Sequence, residues 1–435
     1  MNSGRSLMFK IPKTYLLLFS LYWAQGLPVG FMTHALPAIL RAQGVSLTHI
    51  GGFGLLMAPW AIKVLWAPWV DRYGSQTFGH YRTWIIPTQI LTVTLLITLS
   101  FLPIESLNHP QYLLAFFIAL LCMNSVGATQ DIATDGLAVN ILKGDQQHVG
   151  NMFQVVGSRL GFIFGGGAIL WALDFLNWQS TFLILAVIVL LNTIPVLFYR
   201  EPIHQKMIHL KSFDPINLVE KKPKISSSIY QYLQYFFQSK VMWAWFFVLC
   251  SIKVTDGLSG PILKPLLVDL GLSLSQIGVY ITMLGALAAL LGAGLAGFVL
   301  KYIQRSSALI VFSILKLVSL MGFMWLASLH TQQESIPLGL IYLINALEDM
   351  FSAMLLVIIL TLVMQYSRKQ YAGTDFTFQV SLMAMVSGVL YTVSGIVGDA
   401  LGYQHYLMGI VILGGILLFP LIFWQRQEKR VSLQR

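Results

Sequence analysis

The sequence predicts an all-α integral membrane protein with twelve transmembrane helices arranged as two six-helix repeats. Three observations lead there: an extreme apolar composition, the recurrence of membrane-length apolar runs, and similarity between the two halves of the chain. Of 435 residues, 56% are hydrophobic and only 10% charged, with a mean hydropathy of +0.73. Soluble domains carry about 25% charged residues. A run of about 20 apolar residues crosses a hydrocarbon core as a helix, whereas barrel strands would appear as short alternating segments. The runs here are long and unbroken, which selects helices.

In chain order the predicted spans are 14–41, 50–70, 84–103, 111–141, 151–173, 180–199, 239–268, 275–299, 306–327, 337–367, 374–399 and 403–424. The first is too long for a signal h-region and lacks a small-residue cleavage site, so it is expected to be a retained helix. Gly26, Pro28, Gly30 and Pro37 within it free backbone groups and permit bending where a cavity is lined. A polar segment rich in Lys, Ser and Pro follows the sixth span. It divides the chain into a six-helix bundle at 1–199, a linker at 200–238 and a second bundle with a short tail at 239–435.

The net charge of +10 raises the possibility of a nucleic-acid partner, but the cations are confined to particular loops. Arg5, Lys10, Lys13, Arg72, Arg82, Lys143, the 200–240 segment, Lys301, Arg305, Arg368, Lys369 and the C-terminal tail share one side. Arg41 is nearly alone on the other. Positive-inside asymmetry therefore places both termini and the linker in the cytoplasm, with the lipid bilayer and not nucleic acid as the surrounding partner. Cys122 and Cys250 fall in predicted helices and suggest neither a disulfide framework nor a thiolate metal site. No cofactor is expected, and no His/Cys cluster has ligand spacing for a bare metal. No G-x-x-x-x-G-K-[ST] pattern for nucleotide binding is present, so ATP is not the expected energy source, and no enzymatic activity is expected.

The repeat is legible in polar and glycine positions. "GVSLTHIG" at Gly44–Gly51 matches "GLSLSQIG" at Gly271–Gly278, a shift of 227. "LDFLNWQ" at Leu173 resembles "GDALGYQ" at Gly398, shift 225, and "GNMF" at Gly150 resembles "GTDF" at Gly373, shift 223. A six-helix repeat runs in the same direction twice, so the halves are related by an axis along the membrane normal. That arrangement resembles the major facilitator superfamily. "APWVDRYG" with "GHYR" also follows that superfamily's loop pattern, with Asp71, Arg72, Gly74 and Arg82 matching and Ala67 replacing a glycine. A tight turn bearing both charge signs can lock to neighbouring helix ends in one conformation and release in the other.

A charge at bilayer depth costs about 2.5–3.5 kcal/mol or more, so each one marks a protein interior or an aqueous path. His34, Lys63, Asp131, Asp135, Arg159, Lys253, Asp256, Lys264, Lys316, Glu348 and Asp349 all fall inside predicted spans. Asp131 and Asp135 share a helix face at i,i+4, as do Lys253 and Asp256 at i,i+3. Adjacent Glu348 and Asp349 diverge by about 100°, so only one can point fully into a cavity. Asp131 lies about two-thirds of the way across its helix, where it suits proton coupling or cargo contact. Asp135, nearer the cytoplasm, is placed to pair with Arg72, Arg82 or Arg159 in a gate. Lys264 and Lys316 are long enough to snorkel and are weaker candidates.

"LYWAQGLPVGFMTHALPAILRAQGVSLTHIG", "APWAIKVLWAPWVDRYGS", "ATQDIATDGLAV" and "AGTDFTFQ" together resemble single-component siderophore permeases of the rhizobactin and pyochelin importer type. That group is related to muropeptide permeases and acetyl-CoA transporters. The resemblance implies a bacterial inner-membrane carrier that imports a ferric siderophore, or the siderophore itself, by proton-coupled alternating access; a monomer is the expected functional unit. A muropeptide permease, an exporter of the same fold and a non-transporting sensor are the alternatives. Matching positions include Gln25, Pro28, His34, Lys63, Asp71, Arg72, Gln130, Asp131, Asp135, Thr374 and Asp375. The expected substrate contacts are Tyr22, Trp23, Gln25, Phe31, His34, Lys63, Gln130, Arg159 and Lys253, whose cations suit an anionic ligand. Asp131, Asp256 and Glu348 are the expected proton carriers. Asp71, Arg72, Arg82, Asp135 and Asp375 are the expected gate.

Overall fold

The computed structural model describes residues 13–36, 39–40, 53–75, 77–102, 109–173, 176–201, 234, 236–272 and 276–433. Among them the secondary structure is helical, apart from an isolated bridge between Ser75 and Gly79. The repeated segment at Gly44–Gly51, Pro37, Arg41 and most of the 200–238 linker lie outside the described residues.

Helix α1 is Lys13–Gly30, continued by a π-helical turn Phe31–Ala35. Helix α2 is assembled from Phe53–Met57, Ala58–Ile62, Lys63–Leu65 and Ala67–Arg72, with prolines at the starts of its two α-helical pieces. Helices α3, α4 and α6 are Arg82–Ser100, Pro110–Ile141 and Trp178–Phe198. Between the last two, α5 comprises Gln147–Phe162, a π-helical turn Ile163–Ala168 and Ile169–Leu173. Helix α7 is Lys240–Ser251 followed by Val254–Asp269, and α8 is a π-helical turn Ile277–Met283 followed by Leu284–Val299. Helices α9 and α10 are Arg305–Thr331 and Leu338–Gln365. One helical run, Ala372–Ile416, turns sharply at Gly402, whose φ of 71° suits a residue without Cβ. It supplies α11 (372–401) and, with Leu418–Leu433, α12 (403–433).

Nine helices among the described residues are long and apolar enough to cross a membrane. The three spans outside that group are α2, α5 and α11. Helix α2 is broken into short pieces, of which Leu55–Leu65 is apolar but too short, and all three spans pack across the line between the first six helices and the last six. By contrast α6 exposes Leu183, Ile184, Val187, Leu190, Leu191 and Ile194, a stripe at helical spacing that suits lipid.

Glycine sets the closest helix contact. Along α5, Gly157, Gly161 and Gly165 recur every fourth residue and lie against α1. A Cβ on Gly161 would sit 2.5 Å from Gly26 Cα, so only glycine permits this approach. The corresponding α7–α11 contact brings Gly257 against the Ser387 backbone, where a Cβ would lie 2.6 Å from the carbonyl oxygen.

The apolar core divides unevenly. At the end where α1 begins and α12 stops, one continuous cluster joins both sets of helices, including Leu17, Ala133, Val155, Trp245, Ile359 and Trp424. Toward the opposite end it splits into two clusters. One contains only first-half residues such as Phe31, Leu120 and Phe182, and the other only second-half residues such as Leu266, Phe323 and Leu407. The bundle is therefore packed shut across its middle at the termini end and packed separately on each side at the other.

Candidate functional site

Both principal lysines sit where a helix is interrupted. Lys63 opens the 3-10 turn inside α2, and Lys253 lies between the two pieces of α7. Interruptions of this kind put backbone carbonyls and side chains at membrane depth only where protein or a cavity receives them.

In the first half, Lys63 is buried and forms an ion pair with Asp131 of α4. Its ammonium also lies 5.3 Å from the centre of the Trp60 ring. Indole hydrogen bonds flank the pair: Trp60 donates to Asn124 at 2.9 Å and Trp66 to Thr129 at 3.2 Å. With its amide nitrogen turned to Asp131, Gln25 donates to Oδ1 at 3.2 Å and accepts from Thr134 at 3.1 Å. Beside it, a recess is lined by Gln25, Pro28, Trp60, Asn124 and Gln130. The Gln130 Nε2 is buried there with no hydrogen-bond partner among the described residues.

Asp135, one turn further along α4, accepts from the Tyr22 hydroxyl at 2.7 Å and from Gln154 at 3.4 Å. Its hydrogen-bond partners are a phenol and an amide, where the sequence suggested an arginine. The reason is visible at Arg82, whose guanidinium donates to the carbonyls of Val196, Leu197 and Phe78, capping the last turn of α6. Glu201 completes that corner by accepting from the backbone N–H groups of Tyr81 and Arg82. Burial raises the Glu201 carboxyl above its ordinary range, and those N–H groups oppose the shift. Arg82 thus ties α3 to α6 within the first half and, among the described residues, bridges to none of the later helices.

Trp23 packs against Phe19 and Phe164, and its indole N–H is buried without a partner among the described residues. Phe31 lies in the apolar core, 5.1 Å from Phe182 and 6.4 Å from Trp178, so in this conformation it is packing material and not a cavity wall. The His34 backbone belongs to the π-helical turn after α1, while its side chain lies outside the described ones. Lys264 has a described backbone only.

The second half carries a larger network. Lys253 and Asp256 pair at 2.7 Å, and Lys316 of α9 reaches the other Asp256 oxygen at 3.5 Å. Lys316 also binds Glu348 and Ser352 of α10. Lys316, a weaker candidate because its length would allow it to snorkel, is instead buried at the centre of the network, held by two carboxylates. Glu348 turns to neighbouring α9. Asp349 diverges, as adjacent helical positions must, and accepts from Asn345 at 3.0 Å beside Gly285 of α8.

Polar contacts between the halves gather at the termini end. Asp71, at the end of α2, accepts the Gly373 N–H at 3.0 Å and the Thr374 N–H at 2.6 Å, the unsatisfied amides that open α11. Tyr81 donates to the same carboxylate at 2.8 Å. Burial and the facing Asp71 charge push the Tyr81 phenol above its ordinary value, which keeps it a donor at neutral pH. Arg72 stacks 5.6 Å from the Tyr73 ring. Asp375 receives Arg368 in a fork at 2.9 and 3.1 Å, together with the Arg368 N–H at 2.7 Å, so its ion pair stays within the second half. Two cross-contacts were not anticipated from sequence. Arg305 donates to Gln147 at 2.9 Å and to the Gly144 carbonyl at 2.5 Å, and Asn151 donates to Thr361 at 3.4 Å.

Two solved structures align with nearly the whole chain: the FucP transporter in its outward conformation (TM-score 0.64, 14% identity, 95% and 98% of the two chains) and an outward-facing bacterial homologue of ferroportin (0.64, 14%, 96% and 99%). The chain has the major facilitator fold. Relatives of known sequence share more residues with it than these structures do. The anhydromuropeptide permease of Escherichia coli K12 is 26% identical over 409 residues, 93% of this chain and 78% of its own length. The putative transporter AmpG 4 of Rickettsia conorii is 23% identical over 424 residues, 95% of this chain and 97% of its own. A family described as acetyl-coenzyme A transporter 1 matches residues 14–181. In sequence, then, this chain is similar to muropeptide permeases and, over residues 14–181, to acetyl-CoA transporters. The siderophore importer type that its motifs resemble finds no support among these relatives.

Proposed function

We propose that this protein is a secondary carrier of the bacterial inner membrane that imports peptidoglycan fragments of the anhydromuropeptide class. In this reading both termini are cytoplasmic, the two six-helix halves rock about the interface, and proton binding drives uptake. The observation that carries transport is the uneven packing between the halves: one core cluster bridges them at the termini end, and separate clusters hold each half at the other. An outward-facing carrier requires that shape. The cargo class rests on similarity to the anhydromuropeptide permease along 93% of the chain.

The buried charges then take roles by position. Asp131, paired to Lys63 and within reach of Gln25, is the coupling carboxylate of the first half, where protonation frees Lys63 for cargo. Asp256 and Glu348, both bound to Lys316, form the corresponding reservoir in the second. Asp71 is the latch, because it holds the first amides of α11 only while the termini end is closed.

The test is uptake into proteoliposomes with an imposed proton gradient, using labelled anhydromuropeptide and, in parallel, a labelled ferric siderophore. Saturable, gradient-dependent muropeptide accumulation is expected. Accumulation of the siderophore alone would return the cargo to the class implied by the sequence motifs, and absence of any gradient dependence would remove proton coupling.

A further inference from the structure

Among the described residues, charge balance at mid-depth leaves one cation without an ion-pair partner. Lys63, Lys253 and Lys316 each pair with a carboxylate. Arg159 does not: it is half-buried, its guanidinium lies 6.0 Å from the Phe162 ring, and among the described residues it has no hydrogen bond or ion pair. A guanidinium with five donors is costly to hold at this depth unless something arrives to accept them.

Its direction follows from the faces of α5. Gly157 and Gly161 meet α1, and Gln154 meets α4. Met152 lies on another face, against Gly297 of α8 across the interface. Arg159 is seven residues beyond Met152, so it shares that face about 10 Å further from the closed end. There the bridging core cluster gives way to separate ones. The acid across from it is Asp349, beside Gly285 of α8, whose charge interacts with that of Arg159. Of the three second-half acids at mid-depth, Asp256 and Glu348 pair with lysine whereas Asp349 has Asn345 as its hydrogen-bond donor.

We propose that Arg159 is the anchor for a carboxylate of the cargo, and that Asp349 is the internal competitor the cargo must displace. The inference deepens the muropeptide reading and rests on it for the source of the carboxylate. A guanidinium matches a carboxylate with two parallel N–H donors, a geometry the compact ammonium of Lys cannot reproduce. In the empty carrier Asp349 supplies a distant counter-charge from the opposite half. Bound cargo replaces it with a direct fork, so loading changes how strongly the two halves attract one another at this level.

The experiment measures binding to the purified full-length protein of anhydromuropeptide, its carboxyl methyl esters, ferric citrate and acetyl-CoA, for wild type and for Arg159→Gln, Arg159→Lys and Asp349→Asn. Wild type is expected to bind the free acid at least about tenfold tighter than the ester, the scale of one charge-assisted hydrogen bond. Arg159→Gln should erase that gap, Arg159→Lys should keep part of it, and Asp349→Asn should tighten the acid several-fold while leaving the ester unchanged. Equal binding of acid and ester by wild type, or a gap that survives Arg159→Gln, overturns the anchor while the cargo class stands. If muropeptide fails to bind but ferric citrate or acetyl-CoA binds in an Arg159-dependent way, the cargo class falls and the anion anchor stands, with carboxylate or phosphate identified by which solute binds. Binding that is independent of Arg159 for those solutes, or no binding by any of them, overturns both.

Discussion

Replacing Asp71 by Asn should release the closed end of the carrier. In the structure the Asp71 carboxylate accepts two amides of α11, at 3.0 and 2.6 Å, and the Tyr81 hydroxyl at 2.8 Å. Both amides belong to the opposite half. A hydrogen bond to a charged group contributes about 1.5–3 kcal/mol, and a carboxylate at a helix N-terminus a further 0.3–2 kcal/mol or so. Asn retains one acceptor oxygen but loses the charge and turns an NH2 toward an N–H donor. A loss of about 2–3 kcal/mol from the closed-end state follows, or roughly 30- to 150-fold in the population ratio. Cysteines introduced at exposed Lys143 and Lys369, which flank the closed end on opposite halves, allow the opening to be read as a spin-label distance distribution. Asp71→Asn should move most of the population to longer distances. Gly373→Val should move it the same way without changing charge, because a Cβ there would lie 2.9 Å from Asp71 Oδ1. An unchanged distribution in Asp71→Asn would refute the latch.

Three further outcomes follow from the same geometry. Asp131→Asn should leave Lys63 buried and uncompensated, costing about 3–5 kcal/mol in thermal stability, while the double change Lys63→Met with Asp131→Leu should cost less than either single one. In transport, Asp131→Asn should reduce gradient-driven uptake more than counterflow exchange, and equal loss in both would assign the residue to packing. Lys316→Met should destabilise by a similar amount and more than Lys253→Met, since Lys316 serves two carboxylates and is the more deeply buried; equal melting temperatures would contradict that ordering. Gly161→Leu should separate α1 from α5 and cost at least about 1–3 kcal/mol, visible as loss of folded protein in detergent, with Gly161→Ala intermediate.

The membrane class and helix order were readable because apolar run length is set by bilayer thickness, which every span must meet alone. Lys63 and Asp131 were each visible as expensive charges, yet their pairing was not, since helix rotation and the interruption of α2 at Lys63 decide it. Lys316 shows the same gap in reverse: a lone lysine on an apolar helix can snorkel, and only the convergence of α7, α9 and α10 buries it. Asp71 was legible from its loop pattern. Arg305 was not, because its partners, a backbone carbonyl and the Gln147 amide oxygen, leave no charge pattern in sequence. The glycines at 157, 161 and 165 carried a four-residue spacing that identifies close helix packing, a signal present in the sequence and overlooked beside the charges. Arg82 followed the superfamily pattern but serves α6, a use that residue type alone does not reveal.

The distribution of bonds across the described residues has a consequence for turnover. The ion pairs described above, from Lys63–Asp131 to Arg368–Asp375, each lie within one half, whereas the bonds described across the seam between halves are hydrogen bonds to amides, carbonyls and hydroxyls. Each half would therefore carry these ion pairs intact through the proposed cycle, while the hydrogen bonds of the seam would be uncovered and covered again by water. A seam of a few such bonds, at about 0.5–1.5 kcal/mol for neutral ones and somewhat more for the Asp71 cap, sums to the few kcal/mol that a bound solute can invert. Moving any of the buried lysine pairs across that seam would replace a reversible hinge with a weld.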